Sequence, residues 1–195
     1  MKKILTVLLL CGCLFTMFAC GDESASVADF SNAMKNTNPT VVNVTVTMNS
    51  PLGALNSTYK TTYAEDGSFV LDYTKEEFNT ATSGAADETK KVISGSVTCD
   101  KDGNYSDGGA IVGTVTAAAG TTLNLAEKKL DAEFSEDGNV LTATVKAKNT
   151  KSVFGVEYTG DVTLVITRSA DKVVSYTMTY AIDENNSVTV VCSYQ

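Results

Sequence analysis

Apolar and polar residues alternate with a period of two over most of the chain after Pro39. The clearest run interleaves polar residues with four apolar ones, Val42, Val44, Val46 and Met48. Because successive side chains of a strand point to opposite faces, this alternation predicts a half-buried β-strand. The same pattern predicts about eleven strands, at residues 42–48, 55–63, 68–74, 92–99, 110–116, 121–125, 129–134, 140–147, 154–167, 172–182 and 187–194.

Short polar connectors separate most of these runs. Asp-Gly or Asn-Asn pairs occur at Asp66-Gly67, Asp102-Gly103, Asp137-Gly138 and Asn185-Asn186, and such pairs favour tight turns. Parallel strands would need long crossover connections, which these connectors are too short to make. The sequence therefore predicts a mainly β fold in which an antiparallel sheet meanders from strand to strand.

Two segments depart from the period of two. Residues 26–37 place Val27, Phe30 and Met34 on one face at helical spacing, with Ser26 as a cap and Asp29 in the first turn. They predict one short amphipathic helix that covers the sheet. Residues 75–91 show neither the period of two nor helical spacing, and they are rich in small and charged residues. This predicts a long surface loop.

The amino terminus has the organisation of an export signal. Lys2 and Lys3 precede an apolar stretch that runs to Cys20, after which the chain is polar. The four residues 17–20, Met-Phe-Ala-Cys, resemble the lipobox of bacterial lipoproteins. That resemblance implies a signal peptide at residues 1–19 and a diacylglycerol-modified Cys20. The alternative is a membrane-spanning anchor, since about 18 apolar residues can cross a bilayer.

This organisation predicts a lipid-anchored protein of the cell envelope that faces away from the cytoplasm. Residues 20–25 would be a flexible tether and residues 26–195 one β-rich domain. By resemblance to known sorting signals, Gly21 lacks the aspartate that retains lipoproteins at the inner membrane. We therefore expect the outer membrane in a host that has one, and the cell membrane otherwise.

Charge and residue usage exclude several classes of function. The net charge is −8, and loss of Lys2 and Lys3 with the signal peptide would make it −10. Such a surface repels phosphate backbones, and Arg168 is the sole arginine, so we expect no nucleic-acid partner. The chain contains no histidine to activate a serine or cysteine. Its paired carboxylates fall in predicted turns or loops, so we expect no enzymatic activity and no cofactor.

One acidic segment resembles a calcium loop in part. Asp100, Asp102 and Asn104 match its first, third and fifth positions. However, Tyr105 stands where the loop needs glycine, and Ile111 where it needs the closing glutamate. The segment therefore predicts a polar turn, and we expect no metal.

Two cysteines remain in the expected mature domain after Cys20 is lipidated. Cys99 and Cys192 both lie on the more apolar faces of predicted strands. In an oxidising compartment this predicts one disulfide between them, although two buried thiols fit the same pattern.

The order of elements resembles that of the LolA/LolB-like lipoprotein carriers and their glycolipid-carrying relatives. One helix and then a meander of Thr/Val/Tyr-rich strands cover residues 29–194, and residues 67–73 loosely resemble the third strand of that family. The arginine and tryptophan usual there are missing. The resemblance implies a strongly curved sheet or unclosed β-barrel whose concave apolar face holds acyl chains. It implies these ligand-binding residues: Val42, Val44, Val46, Met48, Tyr59, Phe69, Leu71, Tyr73, Val162 and Leu164.

Two functions are consistent with these observations. The first is that of a monomeric, membrane-anchored protein that binds or carries a lipid or another hydrophobic ligand on its concave sheet. The alternative is a non-catalytic adhesive or structural domain that contacts a protein, a cell-wall polymer or a glycan, since threonine and serine recur on the polar strand faces. An internal cavity would favour the carrier, and a filled core with a flat, exposed aromatic patch the adhesive domain.

Overall fold

The computed structural model describes residues 25–80 and 86–195. The predicted signal peptide, the lipidation site at Cys20 and all of the tether except Ala25 lie outside these residues. The lipid anchor therefore stays a prediction.

Among the described residues, nine antiparallel strands form one unclosed, curved sheet. They are β1 (Val41–Ser50), β2 (Gly53–Tyr63), β3 (Phe69–Thr80), β4 (Ala86–Cys99), β5 (Asp131–Phe134), β6 (Val140–Val145), β7 (Val162–Ser169), β8 (Lys172–Ala181) and β9 (Ser187–Tyr194). Their order is β4-β3-β2-β1-β9-β8-β7-β6-β5. Two meanders, β1 to β4 and β5 to β9, are thus joined where β1 pairs with β9.

Three α-helices are present among the described residues: α1 (Val27–Asn36), α2 (Ala110–Ala119) and α3 (Ala147–Phe154). A 3-10 turn, Glu127–Lys129, leads into β5. None of these helices is both long and apolar enough to cross a membrane. The prediction of a mainly β, antiparallel fold is confirmed, but the expected single helix is wrong.

The amino-terminal helix begins where the sequence predicted. The Ser26 hydroxyl accepts a hydrogen bond from the Asp29 backbone N–H at 3.3 Å, and the Asp29 carboxylate accepts one from the Ser26 N–H at 2.8 Å. This reciprocal pair satisfies backbone donors that the first helical turn leaves without partners. Phe30 on α1 is buried beneath the Arg168 guanidinium, which lies 5.0 Å from the ring centroid. The helix is therefore held by its own cap and by β7.

Two predicted strands are absent from the carboxyl-terminal half of the described chain. Residues 110–116 form α2, because their apolar side chains are buried at Val112, Val115 and Ala119, which is a helical spacing. Residues 121–125 form no strand, since the Thr121 and Asn124 N–H groups donate to the last carbonyls of α3. The predicted strand 154–167 is also shorter, and only its part from Val162 onward is β7.

The predicted loop 75–91 is wrong as well. Its described residues extend β3 and β4 into a long hairpin that continues past the pairing with β2. Lysine and glutamate occupy both faces of this hairpin, with Lys91 and Glu77 paired at 3.1 Å and Lys90 and Glu76 at 3.4 Å. Charged residues on both faces hide the period of two, so the hydrophobic pattern alone could not reveal these strands.

The helices pack on one face of the sheet, which we call the core face. There α1 contacts β8 and β7, α2 contacts β9, and α3 contacts β6. The segment before α2 adds Tyr105, whose ring packs edge-on against Phe69 with centroids 6.2 Å apart. The opposite face, which we call the outer face, carries mostly threonine, serine and charged side chains.

The predicted disulfide between Cys99 and Cys192 is not formed in the structure, where both residues are buried thiols. Cys99 lies on the edge strand β4 and Cys192 on β9, with three strands between them. Neighbouring strands are about 4.8 Å apart, so β4 and β9 are roughly 19 Å apart along the sheet. Cys99 is also four residues away from Gly95, which shares the register row of Cys192. A disulfide needs Cα atoms within about 7 Å of each other. Of the two alternatives expected from the sequence, a disulfide or two buried thiols, the structure has the second.

Candidate functional site

The residues predicted to bind a hydrophobic ligand fall into two groups. Seven belong to the closed core: Val42, Val44, Tyr59, Phe69, Leu71, Val162 and Leu164. A ligand-sized cavity would leave its lining side chains partly accessible, yet Leu71, Val162 and Leu164 are 0% exposed. These three residues therefore pack against protein on every side and adjoin no cavity. Around these three residues the core has no room for an acyl chain.

The other three predicted residues, Val46, Met48 and Tyr73, lie where the covering elements leave the core face partly open. Strand register places Leu55 opposite Met48, and puts Ile93 in the same row as Val46 with two strands between them. Met48 is 38% exposed and Ile93 is 37% exposed, whereas core side chains in the next rows are almost fully buried. We call Val46, Met48, Leu55, Tyr73 and Ile93 the apolar end patch. It continues the core to the surface.

Charged side chains of β3 and β4 border the apolar end patch, and Lys75 lies with Ser57 between Val46 and Ile93 in their row. Glu77 lies between two lysines, with Lys91 at 3.1 Å and Lys75 at 3.6 Å. The hydrogen bond from Lys91 lowers the pKa of the Glu77 carboxyl, and the charges of both lysines add to this effect. Two ammonium groups share one carboxylate, so this border carries a net positive charge in an otherwise acidic protein. An apolar surface with a cationic border matches an amphiphile that has an anionic head.

Gly95 sets the position of the largest side chain in this patch. A Cβ atom at Gly95 would lie 2.6 Å from the Tyr73 hydroxyl oxygen and 2.8 Å from the adjacent ring carbon. The Tyr73 ring therefore lies flat across the backbone of β4, which only a glycine permits. This arrangement keeps one face of the ring on the patch.

A second feature lies on the outer face, across β1, β2 and β3. It is a depression of about 320 Å³ lined by nine residues, namely Asn43, Val44, Thr45, Thr58, Tyr59, Lys60, Asp72, Tyr73 and Thr74. We call it the polar trough. Val44, Tyr59 and Tyr73 are directly opposite one another in the strand register and direct their side chains to the core face. They form the floor of the trough with their backbones.

The six remaining residues form the two walls of the polar trough. Asn43, Lys60 and Asp72 are one register row, and Thr45, Thr58 and Thr74 are the other. Adjacent side chains on one face are two residues apart along a strand, so the rows are about 7 Å apart. Neither Lys60 nor Asp72 takes part in the four ion pairs found among the described residues. The walls therefore present hydroxyl, amide, ammonium and carboxylate groups to solvent.

Sequence reasoning did not identify the polar trough. Each of its strands shows polar residues at alternate positions, which is also the pattern of an ordinary solvent-exposed face. The strand register could have revealed the trough. Hairpin turns after Ser50 and Tyr63 align the polar positions of three consecutive strands. Where a hairpin turn is short enough to fix the register, such rows can be derived from sequence.

The acidic segment after β4 forms a turn, as predicted. The Asp100 carboxylate accepts hydrogen bonds from the Asp102 N–H and Asn104 N–H, both at 2.9 Å, and from the Asn104 side-chain amide at 2.8 Å. These bonds, led by that of the Asn104 amide, lower the pKa of Asp100. The carboxylate is thus used to close the turn. Within residues 25–80 and 86–195, no three acidic, cysteine or histidine side chains cluster as a metal site would require.

Comparison with known proteins identifies no family for this chain. No family of known sequences matches it, and no curated protein does. Among solved structures, it is similar to a redesigned β-barrel at 10% sequence identity, over 90% of this chain and 99% of that one, with a TM-score of 0.22. A similarity this low carries no argument about function. The resemblance to the LolA/LolB-like carriers gains nothing from it and stays a prediction.

Proposed function

We propose that this protein is a membrane-anchored lipoprotein outside the cytoplasm that binds an acyl-chain amphiphile with an anionic head on its apolar end patch. The anchor would be the lipid on Cys20. The proposal narrows the binding surface expected from the sequence to the part of the core face that stays accessible. The single observation that carries it is the set of partly exposed apolar side chains at the ends of β1, β2 and β4, which continues the core into solvent around Lys75.

The chemistry of the patch supports an amphiphile. Burying the exposed parts of Met48, Ile93 and their neighbours would stabilise a bound chain by about 25 cal/mol per Å² of apolar area. The ammonium groups of Lys75 and Lys91 lie beside the apolar surface and can donate hydrogen bonds to a carboxylate or phosphate. Met48 has a flexible side chain that adapts to an irregular ligand. The ligand would lie with its chain along the patch and its head near the lysines.

The test uses the full chain in its native membrane and a photoreactive fatty acid that carries a diazirine on its chain. After illumination, labelled peptides are mapped by mass spectrometry. We expect label in peptides that contain Met48, Leu55 or Ile93. Excess unlabelled fatty acid should displace it.

Two adjacent residues of β4 provide a matched pair of variants. Ile93 lies on the core face in the patch, whereas Val92 lies on the outer face and is 63% exposed. Ile93→Ser should lower the labelling at least about fivefold, since it removes apolar contact area, and Val92→Ser should leave it unchanged. Equal effects of both variants, or labelling confined to other peptides, would rule out the apolar end patch as the site.

A further inference from the structure

The polar trough differs in composition from the rest of this acidic molecule. Its walls contain one lysine and one aspartate, so the trough is neutral while the chain has a net charge of −8. Lys60 and Asp72 are neighbours in one row, and Asn43 completes that row. The other row is made of Thr45, Thr58 and Thr74. The trough therefore offers donors and acceptors without a charge that would select an ion.

The shape of the trough suits a chain that crosses the strands. Its floor is backbone, and the side chains of Val44, Tyr59 and Tyr73 point away from it to the core face. Register extends both rows beyond the depression, to Ser193 and Val191 on β9 and to Ser96 and Ser94 on β4. Five strands at about 4.8 Å spacing make this path roughly 19 Å long. A ligand can leave the depression at either end and still meet hydroxyl groups.

Several kinds of partner fit this surface poorly. An acyl chain would leave the polar walls without hydrogen bonds, which is unfavourable. Protein partners are held mainly by buried aromatic, methionine and arginine anchors, and the walls provide none. A nucleic acid or another polyanion would need a cationic surface. A neutral chain rich in hydroxyl groups can use every group on the walls, because each of its hydroxyls both donates and accepts.

We infer that the polar trough is a second binding site, on the face opposite the apolar end patch, for a neutral polyhydroxylated chain, that is, a glycan. Thr45, Thr58 and Thr74 would exchange hydrogen bonds with sugar hydroxyls along one side of the chain. Asn43, Lys60 and Asp72 would do so along the other. This site does not depend on the acyl-chain site, so the two functions can fail separately.

The experiment uses the full, lipid-anchored chain reconstituted into liposomes. The probes are fluorescently labelled, neutral linear hexasaccharides built from glucose, xylose or N-acetylglucosamine, and binding is measured by fluorescence anisotropy. At least one hexasaccharide should bind saturably. Thr58→Val should raise its Kd about fivefold, because a methyl group replaces one hydrogen-bonding hydroxyl at nearly constant shape. Asp72→Asn should also weaken binding.

Thr179→Val provides the matched control. Thr179 lies on the outer face of β8, outside the trough, and is also exposed. The Thr179→Val variant should leave the Kd unchanged. Circular dichroism should show that all three variants stay folded. Failure of every hexasaccharide to bind, or equal weakening by Thr58→Val and Thr179→Val, would overturn the inference. Ile93→Ser should not alter hexasaccharide binding, which separates this result from the acyl-chain proposal.

Discussion

Aspartate side chains close five turns in the described part of the chain by accepting hydrogen bonds from backbone N–H groups two residues further on. The residues are Asp66, Asp100, Asp107, Asp137 and Asp183. Turns of this kind need an ionised carboxylate or a similar acceptor, which explains why the connectors are rich in Asp-Gly and Asp-x-Asn. The pKa of each of the five is lowered by the hydrogen bonds of its turn.

These pKa shifts predict how stability depends on pH. A carboxyl whose pKa is lower in the folded state stabilises the fold above its unfolded pKa, which is ordinarily 3.8, and loses that effect as pH falls toward the folded value. The urea midpoint should therefore fall as the pH is lowered from about 5 through the folded pKa values of these carboxyls. For Asp107, the largest cause is the Ile111 N–H, which donates to the carboxylate at 2.9 Å at the start of α2.

Asp107→Asn isolates one of these contributions. The asparagine oxygen can still accept a hydrogen bond but has no proton to gain. The variant should be less stable than the native protein at pH 7 and should lose less stability on acidification. Because both proteins share the other charges of the chain, the difference between their two pH curves reports on Asp107 alone. Parallel curves would contradict the assigned role.

At the scale of elements, α2 contains one glycine and ends at another. A side chain can be accommodated at only one of the two positions. Gly120 ends the helix at φ +79°, and a Cβ atom there would lie 2.6 Å from the Phe154 carbonyl oxygen. Gly113 lies inside the helix, and a Cβ atom there would meet nothing within 4 Å. The first glycine is required by backbone conformation and by close packing with α3. The second only lowers helix propensity.

Alanine substitution should therefore have opposite effects at the two positions. Gly120→Ala should destabilise the protein by more than about 1 kcal/mol, since a left-handed conformation and a backbone clash are both imposed. Gly113→Ala should stabilise it by roughly 0.5–1 kcal/mol, because alanine favours the helix. Urea denaturation measures both. Destabilisation by Gly113→Ala would show that this face of α2 is more tightly packed than the structure indicates.

Elements with local signals were predicted well from the sequence. The capping residues Ser26 and Asp29 are three positions apart, so the start of α1 could be read directly. The strand predicted at 187–194 matches β9 (Ser187–Tyr194), because Val188, Val190 and Cys192 are buried and alternate with less buried residues. In both cases one face is apolar and the ends are marked by polar or turn residues.

Elements that depend on distant partners were not predicted. The β-branched residues of 110–116 favour a strand, yet Val112 and Val115 are buried by the sheet as one helical face. The carbonyl of Ala118 near the end of this helix accepts hydrogen bonds from the hydroxyls of Tyr158 and Tyr180, at 3.0 and 3.1 Å. These residues are 40 and 62 positions away. No local sequence pattern predicts hydrogen bonds between residues so far apart. Nor does a local pattern predict that α2 and α3 fill the core.

At the scale of the whole molecule, the pairing of two strands holds the sheet together. The first and last strands, β1 and β9, pair along eight residues and join the two meanders. This arrangement places the apolar end patch and the polar trough on opposite faces of the same meander, β1 to β4. If both proposals hold, one β-meander contacts an amphiphile on one side and a glycan on the other, while the remaining strands and helices supply most of the closed core.

The open sheet also predicts the state of the two thiols. Cys99 and Cys192 are 3% and 0% exposed, and three strands separate β4 from β9. Protein taken from its native host and unfolded without reductant should therefore add an alkyl group at each of these cysteines, as shown by peptide mass spectrometry. Folded protein should react slowly, because burial raises the pKa of the Cys99 thiol and shields it.

A parallel sample treated with reductant before unfolding is the control, and it should give the same two alkylated peptides. A peptide pair linked through Cys99 and Cys192, lighter by two hydrogens, would contradict the prediction. Such a link requires the Cα atoms to approach within about 7 Å. The edge strand β4 would then have to fold across the core face toward β9, and the apolar end patch between them would be covered. The thiol experiment therefore tests the openness of the sheet on which the acyl-chain site depends.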